Sequence, residues 1–434
     1  MGLLAKLRSG GMTRSLWNIG DQLISSGNNF LVQIVIAKSV SDDDFGTFAI
    51  VFSIFSVAIG FFRALSTTPL GMRFADADDR EFGRVTSASV GLTFTGSVLL
   101  GLVLVAAGLL YPFPTVLGHS LIALGVILPG LLLQDAWRQV LFARLRPAAA
   151  CLLDGTWGVL QLVAVLLLFA QGVSSVSAYV VAWGGAALAA SFVGFASMRT
   201  RPRPAAALTW LREQSSLTRY LVPEYVLLQS GAQIAILVVA AVAGTAAAGS
   251  LRGANMLTVP ATILSTGLMS FAVPELARRR ARTSLRQWTV AAWVISGLVA
   301  TTGVVWGSLF LMLPDSVGLY VLGDSWAGTR EVLVPIIVGQ AGSALSVGPA
   351  AVLYASEGAK VTIRLHTVYA ILLIGLSTLG AVLWGAVGTA WGMAGAFWFT
   401  VPWWFLAARR HVRRSAEAVA PRPDEVGEPA APHA

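Results

Sequence analysis

The chain has 434 residues, of which 56% are hydrophobic and only 12% charged, with a mean hydropathy of +0.74. Soluble domains carry about 25% charged residues, so the composition excludes a soluble globular protein and points to a polytopic membrane protein. The formal charge of +9 does not indicate nucleic acid, because the arginines lie between apolar segments; the lone Cys151 excludes a disulfide framework and a thiolate metal cluster.

Residues 1–14 set Leu3, Leu4 and Leu7 against Lys6, Arg8 and Arg14, which reads as a short interfacial segment with no cleavable signal behind it. The next stretch, 15–37, is long enough to cross a bilayer yet carries Asp21, Ser25, Asn28 and Asn29 on one side of a helix. Such a face is expected to look into a wet cavity.

With about 20 residues needed per crossing, the chain offers twelve spans, at 15–37, 45–67, 85–110, 120–142, 149–170, 176–198, 219–243, 248–272, 287–312, 331–355, 362–384 and 386–408. Placing the N-terminus inside puts 27 of the 30 lysines and arginines in inner segments and leaves Lys38, Arg252 and Arg330 for the outer half. Both termini are therefore expected in the cytoplasm, in a plasma or inner membrane. The basic, Pro-containing stretch 199–218 reads as a cytoplasmic linker between an N-lobe at 15–198 and a C-lobe at 219–414, and the Pro-, Ala- and Glu-rich 415–434 as a disordered cytoplasmic tail.

The two halves look like copies. Asp21 precedes Gly46 by 25 residues and Glu224 precedes Gly249 by 25, and Pro69 with Pro274 and Pro129 with Pro335 follow in the same order. Because each unit holds six crossings, the copies share orientation. The expected fold is all-α, two six-helix lobes related by a pseudo-two-fold axis along the membrane normal, with a substrate site between them.

Ionisable residues inside a membrane are costly and usually face a bundle interior or water. Asp21, Glu224 and Asp135 are the candidates for coupling to a proton or sodium ion; Asp21 and Glu224 are also close enough to the inner ends to reach water or a neighbouring arginine. Arg252 breaks the positive-inside pattern and continues into a polar stripe with Asn255, Thr258, Thr262 and Ser265; it is either an interfacial arginine or a cation for an anionic group in the cavity. Gln134, Asp135 and Arg138 share a face, where Asp135 and Arg138 are spaced to pair with each other. Arg63, Asn28, Asn29, Gln229 and Gln233 complete the candidate cavity. Prolines 129, 223, 260, 335 and 349 are expected to interrupt helices. No phosphate loop, HExxH or GxSxG motif occurs and the four histidines show no metal spacing, so neither an ATPase nor a metal or other cofactor site is expected.

The opening SLWNIGDQLISSGNNFLVQIVIAKSVSDDDFGTFAIVFSI, with its polar first helix, short acidic loop ending in Phe45 and Gly46, and aromatic second helix, resembles the Wzx-type polysaccharide transporters of the multidrug/oligosaccharidyl-lipid/polysaccharide (MOP) exporter superfamily. The likeness covers mainly 15–75. It implies a MATE/MOP-like fold and a secondary transporter, not an enzyme, that flips an undecaprenyl-diphosphate-linked oligosaccharide by alternating access for cell-envelope or exopolysaccharide assembly. Arg63 and Arg252 then match the second- and eighth-helix cations of the pattern and Asp21 its first-helix acid. The implied partners are the lipid-linked glycan, membrane lipids and glycan-assembly proteins. Lipid II flippases of the superfamily carry an arginine before the first-helix acid, where this chain has Gly20. The alternatives are a MATE-like drug or metabolite cation antiporter and, from another class, a membrane glycan polymerase or ligase.

Overall fold

The computed structural model describes residues 27–110, 115–228, 231–279, 284–356 and 358–419, with backbone alone at 226–228, 262–275, 277–279, 359 and 415–419. Asp21, Gln229 and most of the N- and C-terminal stretches considered above lie outside the described residues. All regular structure within them is helical, and eight helices are long and apolar enough to cross a membrane. The chain is a multi-pass membrane protein.

In the first half, α1 occupies 27–39, and α2 runs from Asp42–Phe62 through a π-helical turn, Arg63–Thr67, into Thr68–Phe74. Helices α3 (Asp79–Leu110), α4 (Val116–Ala143), α5 (Pro147–Ala170) and α6 (Val176–Met198) complete it. In the second half come α7 (Ala207–Leu228), α8 (Gly231–Ala243), α9 (Thr245–Arg279), α10 (Leu285–Leu311), the short α11 (Asp315–Leu322), α12 (Trp326–Ala355) and α13 (Ala359–Val419). Within the first bundle α4 is central, packing on α3, α5 and α6; in the second α12 does the same with α9, α10 and α13.

Helix starts are set by short polar caps. The Ser41 hydroxyl accepts from the Asp44 amide, and three aspartates in that first turn suit the positive end of the α2 dipole. Thr115 caps α4 in the same way, and Ser284 with Gln287 forms a capping box on α10. Breaks come from glycine rather than proline: Gly244, Gly323 and Gly385 all have positive φ, and Gly385 divides α13 where the sequence separates 362–384 from 386–408. The expectation that prolines interrupt helices fails, since α4, α7 and α12 each run through theirs. Neighbouring helices keep these turns in place within a packed bundle.

Helix α7 also departs from the sequence reading, which gave a linker to 218 and a span from 219. A 3-10 turn, Pro204–Ala206, leads directly into it. Trp210 drives the early start: it is fully buried, and its indole N–H donates to the Leu65 carbonyl in the α2 π-turn at 3.2 Å. Arg73 at the end of α2 donates to Gln214 Oε1 at 2.8 Å and Ser216 Oγ at 2.9 Å, while the Tyr225 hydroxyl donates to the Ser56 carbonyl at 2.8 Å. The connection is therefore a helical strap fixed along α2 at three levels.

The two bundles meet chiefly where α2 crosses α9. A Cβ on Gly46 would stand 1.8 Å from the Thr245 carbonyl oxygen, and one on Gly249 would stand 3.0 Å from the Gly46 nitrogen. Gly46 and Gly249, the pair that the sequence spacing from Asp21 and Glu224 aligns, thus lie backbone against backbone. Thr245 Oγ1 donates to Asp43 Oδ1 at 2.8 Å, and Lys38 Nζ sits 3.8 Å from the Tyr320 ring centre, so the lobes are closed at this end.

Any side chain at Gly46 must push the two backbones apart. Gly46→Ala is expected to lengthen the distance between spin labels at Asp42→Cys and Ala246→Cys in a Cys151→Ser background, read by pulsed electron resonance. An unchanged distribution would show that the contact does not hold this end shut.

Candidate functional site

Two groups of polar side chains are buried in the bundles. The first lies inside the N-lobe. Arg63, on the π-turn of α2, makes a bidentate ion pair with Asp135 of α4: its Nε donates to Oδ2 at 2.7 Å and its Nη2 contacts Oδ1. A π-turn adds one residue to the helix and so rotates the side chains beyond it; here it presents Arg63 to α4.

One turn along α4, Arg138 Nε meets Asp154 Oδ2 of α5 at 2.8 Å, and Gln134 Nε2 donates to Asp154 Oδ1 at 2.7 Å. The expected pairing of Asp135 with Arg138 is thus replaced by two pairs between helices. Cross-helix partners leave both carboxylates buried, where an ion pair three residues apart on one helix would face a single side. Asp154 was missed by sequence reasoning because its partners are 16 and 20 residues away on another helix, beyond any local spacing. Gln161, two turns further along α5, is fully buried with neither amide atom hydrogen-bonded among the described residues. It too gave no local signal.

The second group lies at the junction of the lobes. Arg252 of α9 is 7% exposed, and its guanidinium carbon sits 3.6 Å from the centre of the Phe52 ring of α2. Phe52 stacks on Trp183 of α6, and Phe55 meets the same indole edge to face. No carboxylate pairs with Arg252 among the described residues, and its Nε has no hydrogen-bond partner there. A cation–π contact is worth about 2 kcal/mol when desolvated, well short of the several kcal/mol that burying an ion costs. Close by in sequence, Ser53 Oγ donates to Gln233 Oε1 of α8 at 3.1 Å, again across the lobes.

Of the remaining candidates, Asn255 is half-buried on α9 one turn beyond Arg252, and Glu224 is half-buried on α7 beside Tyr225. Asn28 and Asn29 are half-buried on α1, but Asn28 packs against Gly158 of α5, where a Cβ would stand 3.1 Å from its amide nitrogen. The structure therefore brings Arg63 with Asp135, and Arg252 and Gln233 each with α2, while Asn28 stays within the N-lobe.

No family model and no curated protein matches the chain. Its fold does match solved structures. An inward-facing multidrug resistance MATE family transporter of the MOP superfamily superposes with a TM-score of 0.71 at 12% identity, covering 94% of this chain and 96% of that one. The lipid II flippase MurJ in an inward closed conformation gives 0.65 at 12% identity, covering 93% and 87%. An outward-facing MATE family transporter of the MOP superfamily gives only 0.54 at 12% identity, over 93% and 96%. These likenesses establish a MATE/MOP-like fold of two helical lobes.

The Asp154 cluster sets a stability test. Asp154→Ala strands Arg138 and Gln134 together and is expected to cost about 3–5 kcal/mol, the usual penalty for removing one partner of a buried pair. Arg138→Leu with Asp154→Leu should recover most of that loss, because an apolar pair leaves no charge behind. Thermal unfolding in detergent reads both variants, and equal destabilisation by the single and double changes would refute the pairing.

Proposed function

We propose that the chain is an alternating-access secondary transporter of the MOP type that carries an anionic, lipid-linked sugar headgroup across the cell membrane. The observation that supports this reading is Arg252, a guanidinium buried at the lobe junction with no carboxylate paired to it among the described residues. Arginine's planar fork suits bidentate hydrogen bonds to phosphate, and a diphosphate would supply the missing charge. Ser53, Gln233 and Asn255 lie within the same crossing of α2, α8 and α9 and would serve sugar hydroxyls. The expected cargo is an undecaprenyl-diphosphate-linked oligosaccharide for envelope or exopolysaccharide assembly, with glycan-assembly proteins as partners.

In this reading the arginine-rich helix ends and both termini face the cytoplasm, as the positive-inside rule requires, and the closed Gly46 end faces outward. Arg63 and Arg138 are neutralised within the N-lobe, so a role for them in the cargo site requires Asp135 or Asp154 to release them. Asp135, with Asp21 and Glu224, is accordingly the candidate for ion coupling, since a proton on Asp135 would free Arg63. A MATE-like cation antiporter is the second reading; the stacked Phe52, Phe55 and Trp183 beside the junction favour it, because aromatic faces also suit organic cations.

Arg252→Ala is expected to reduce delivery of lipid-linked sugar to the outer leaflet by about tenfold or more, the scale of a lost charged contact, with Arg252→Lys recovering part of it. Undiminished delivery at normal expression would refute the assignment, and loss of drug-cation efflux instead would select the antiporter.

A further inference from the structure

A cleft outside both buried groups gathers five arginines. It opens between the start of α3 and the segment that follows α6, with a volume of about 1410 Å³ including its mouth. Arg80 and Arg84 line it from α3 and Arg199, Arg201 and Arg203 from the connecting segment, against only Asp78 and Glu81. None of the five guanidinium groups is in an ion pair among the described residues. Asp78 is engaged as well, accepting from the Glu81 amide at 2.8 Å as a helix cap.

The backbone of this segment is fixed while its charged ends are left outside. Arg203 N donates to the Ser87 carbonyl at 2.8 Å and the Ser87 hydroxyl donates to the Arg201 carbonyl. Gly91 provides the room, since a Cβ there would stand 2.3 Å from the Arg203 oxygen. Arg199 closes α6 in the left-handed region at φ 51°, which turns the chain sharply into the cleft. All five arginines are exposed. Helical arginines placed merely to fix topology need no such docking.

A lipid-facing stripe leads straight to the site. Val181, Leu188, Phe192 and Ala196 are exposed at spacings of seven, four and four on α6, with Phe192 66% exposed, and Arg199 follows three residues on. An acyl chain lying along Phe192 would bring its headgroup to Arg199. Basic pockets between membrane helices are suited to anionic lipid headgroups, and arginine to their phosphates.

The geometry points to this cleft as a binding site for the phosphodiester headgroup of an anionic glycerophospholipid, distinct from the cargo site at Arg252. The bound lipid would clasp the connecting segment to α3 just before the α7 strap begins.

The test uses the purified full-length protein in detergent at physiological salt, titrated with phosphatidylglycerol and, separately, phosphatidylcholine, with bound lipid counted by native mass spectrometry. One saturable phosphatidylglycerol is expected, weakened about tenfold or more by Arg84→Gln with Arg201→Gln and Arg203→Gln, since each surface charge contributes about 1 kcal/mol to such binding. These changes leave the backbone hydrogen bonds to Ser87 in place, and an unchanged unfolding temperature in phosphatidylcholine verifies the fold. Arg409→Gln with Arg410→Gln, on another helix end, should leave the binding intact. Equal weakening by that control pair, equal binding of phosphatidylcholine, or full competition by soluble glycerol phosphate would each overturn the proposal. If the triple variant fails to fold, Arg84→Gln alone carries the test: it is expected to weaken binding severalfold, and unaltered binding refutes the site.

Discussion

The constraint on which this molecule turns is the cost of charge in an apolar bundle. An ion moved out of water loses several kcal/mol that only a close partner restores. Two arginines of the N-lobe meet that demand from within: Arg63 with Asp135, and Arg138 with Asp154, which Gln134 also binds. Arg252 does not among the described residues, where the Phe52 ring lies beneath it. The contrast is one of location. The paired charges lie inside one lobe, and the charge without a carboxylate among the described residues lies where the lobes meet.

That junction is built on a close backbone contact. Gly46 and Gly249, which the sequence spacing aligns, lie against one another. A glycine pair allows an approach that side chains would prevent and forms no interlocking jigsaw that would resist separation. Around it the contact is largely apolar, with Phe45, Phe48, Ala248 and Leu251 in one buried cluster, and polar ties such as Thr245 to Asp43 and Ser53 to Gln233 add to it. Bonds of this kind exchange readily with water, at a net cost of about 1 kcal/mol each, which suits an end that has to open.

Much of the fold was legible in the sequence because bilayer length, helical period and the placement of arginines are local signals. The sequence spacing that set Gly46 beside Gly249 singled out two residues that lie in contact. What escaped were relations across helices. Spacing on α4 suggested that Asp135 and Arg138 pair with each other, whereas each found a partner on a different helix. Asp154 gave no local signal, because its partners Gln134 and Arg138 lie on another helix. Polar composition made 199–218 read as a linker, and from Ala207 that linker is helical, with Trp210 buried on it. Proline was expected to mark the breaks, but in a bundle where neighbours hold each turn, positive-φ glycines did so instead.

The strap formed by α7 connects these features. It is bonded to the Ser56 carbonyl by Tyr225, to the Leu65 carbonyl by Trp210 and to Arg73 through Gln214 and Ser216, so it spans the turn that carries Arg63. The same helix continues toward α8, which joins α2 through Gln233. A rotation of the second lobe about the Gly46 contact therefore cannot leave α7 unmoved unless these bonds break or α2 follows. The strap and the Arg63 ion pair are thus joined through one stretch of α2: the π-turn that carries Arg63 to Asp135 is the turn whose Leu65 carbonyl accepts from Trp210.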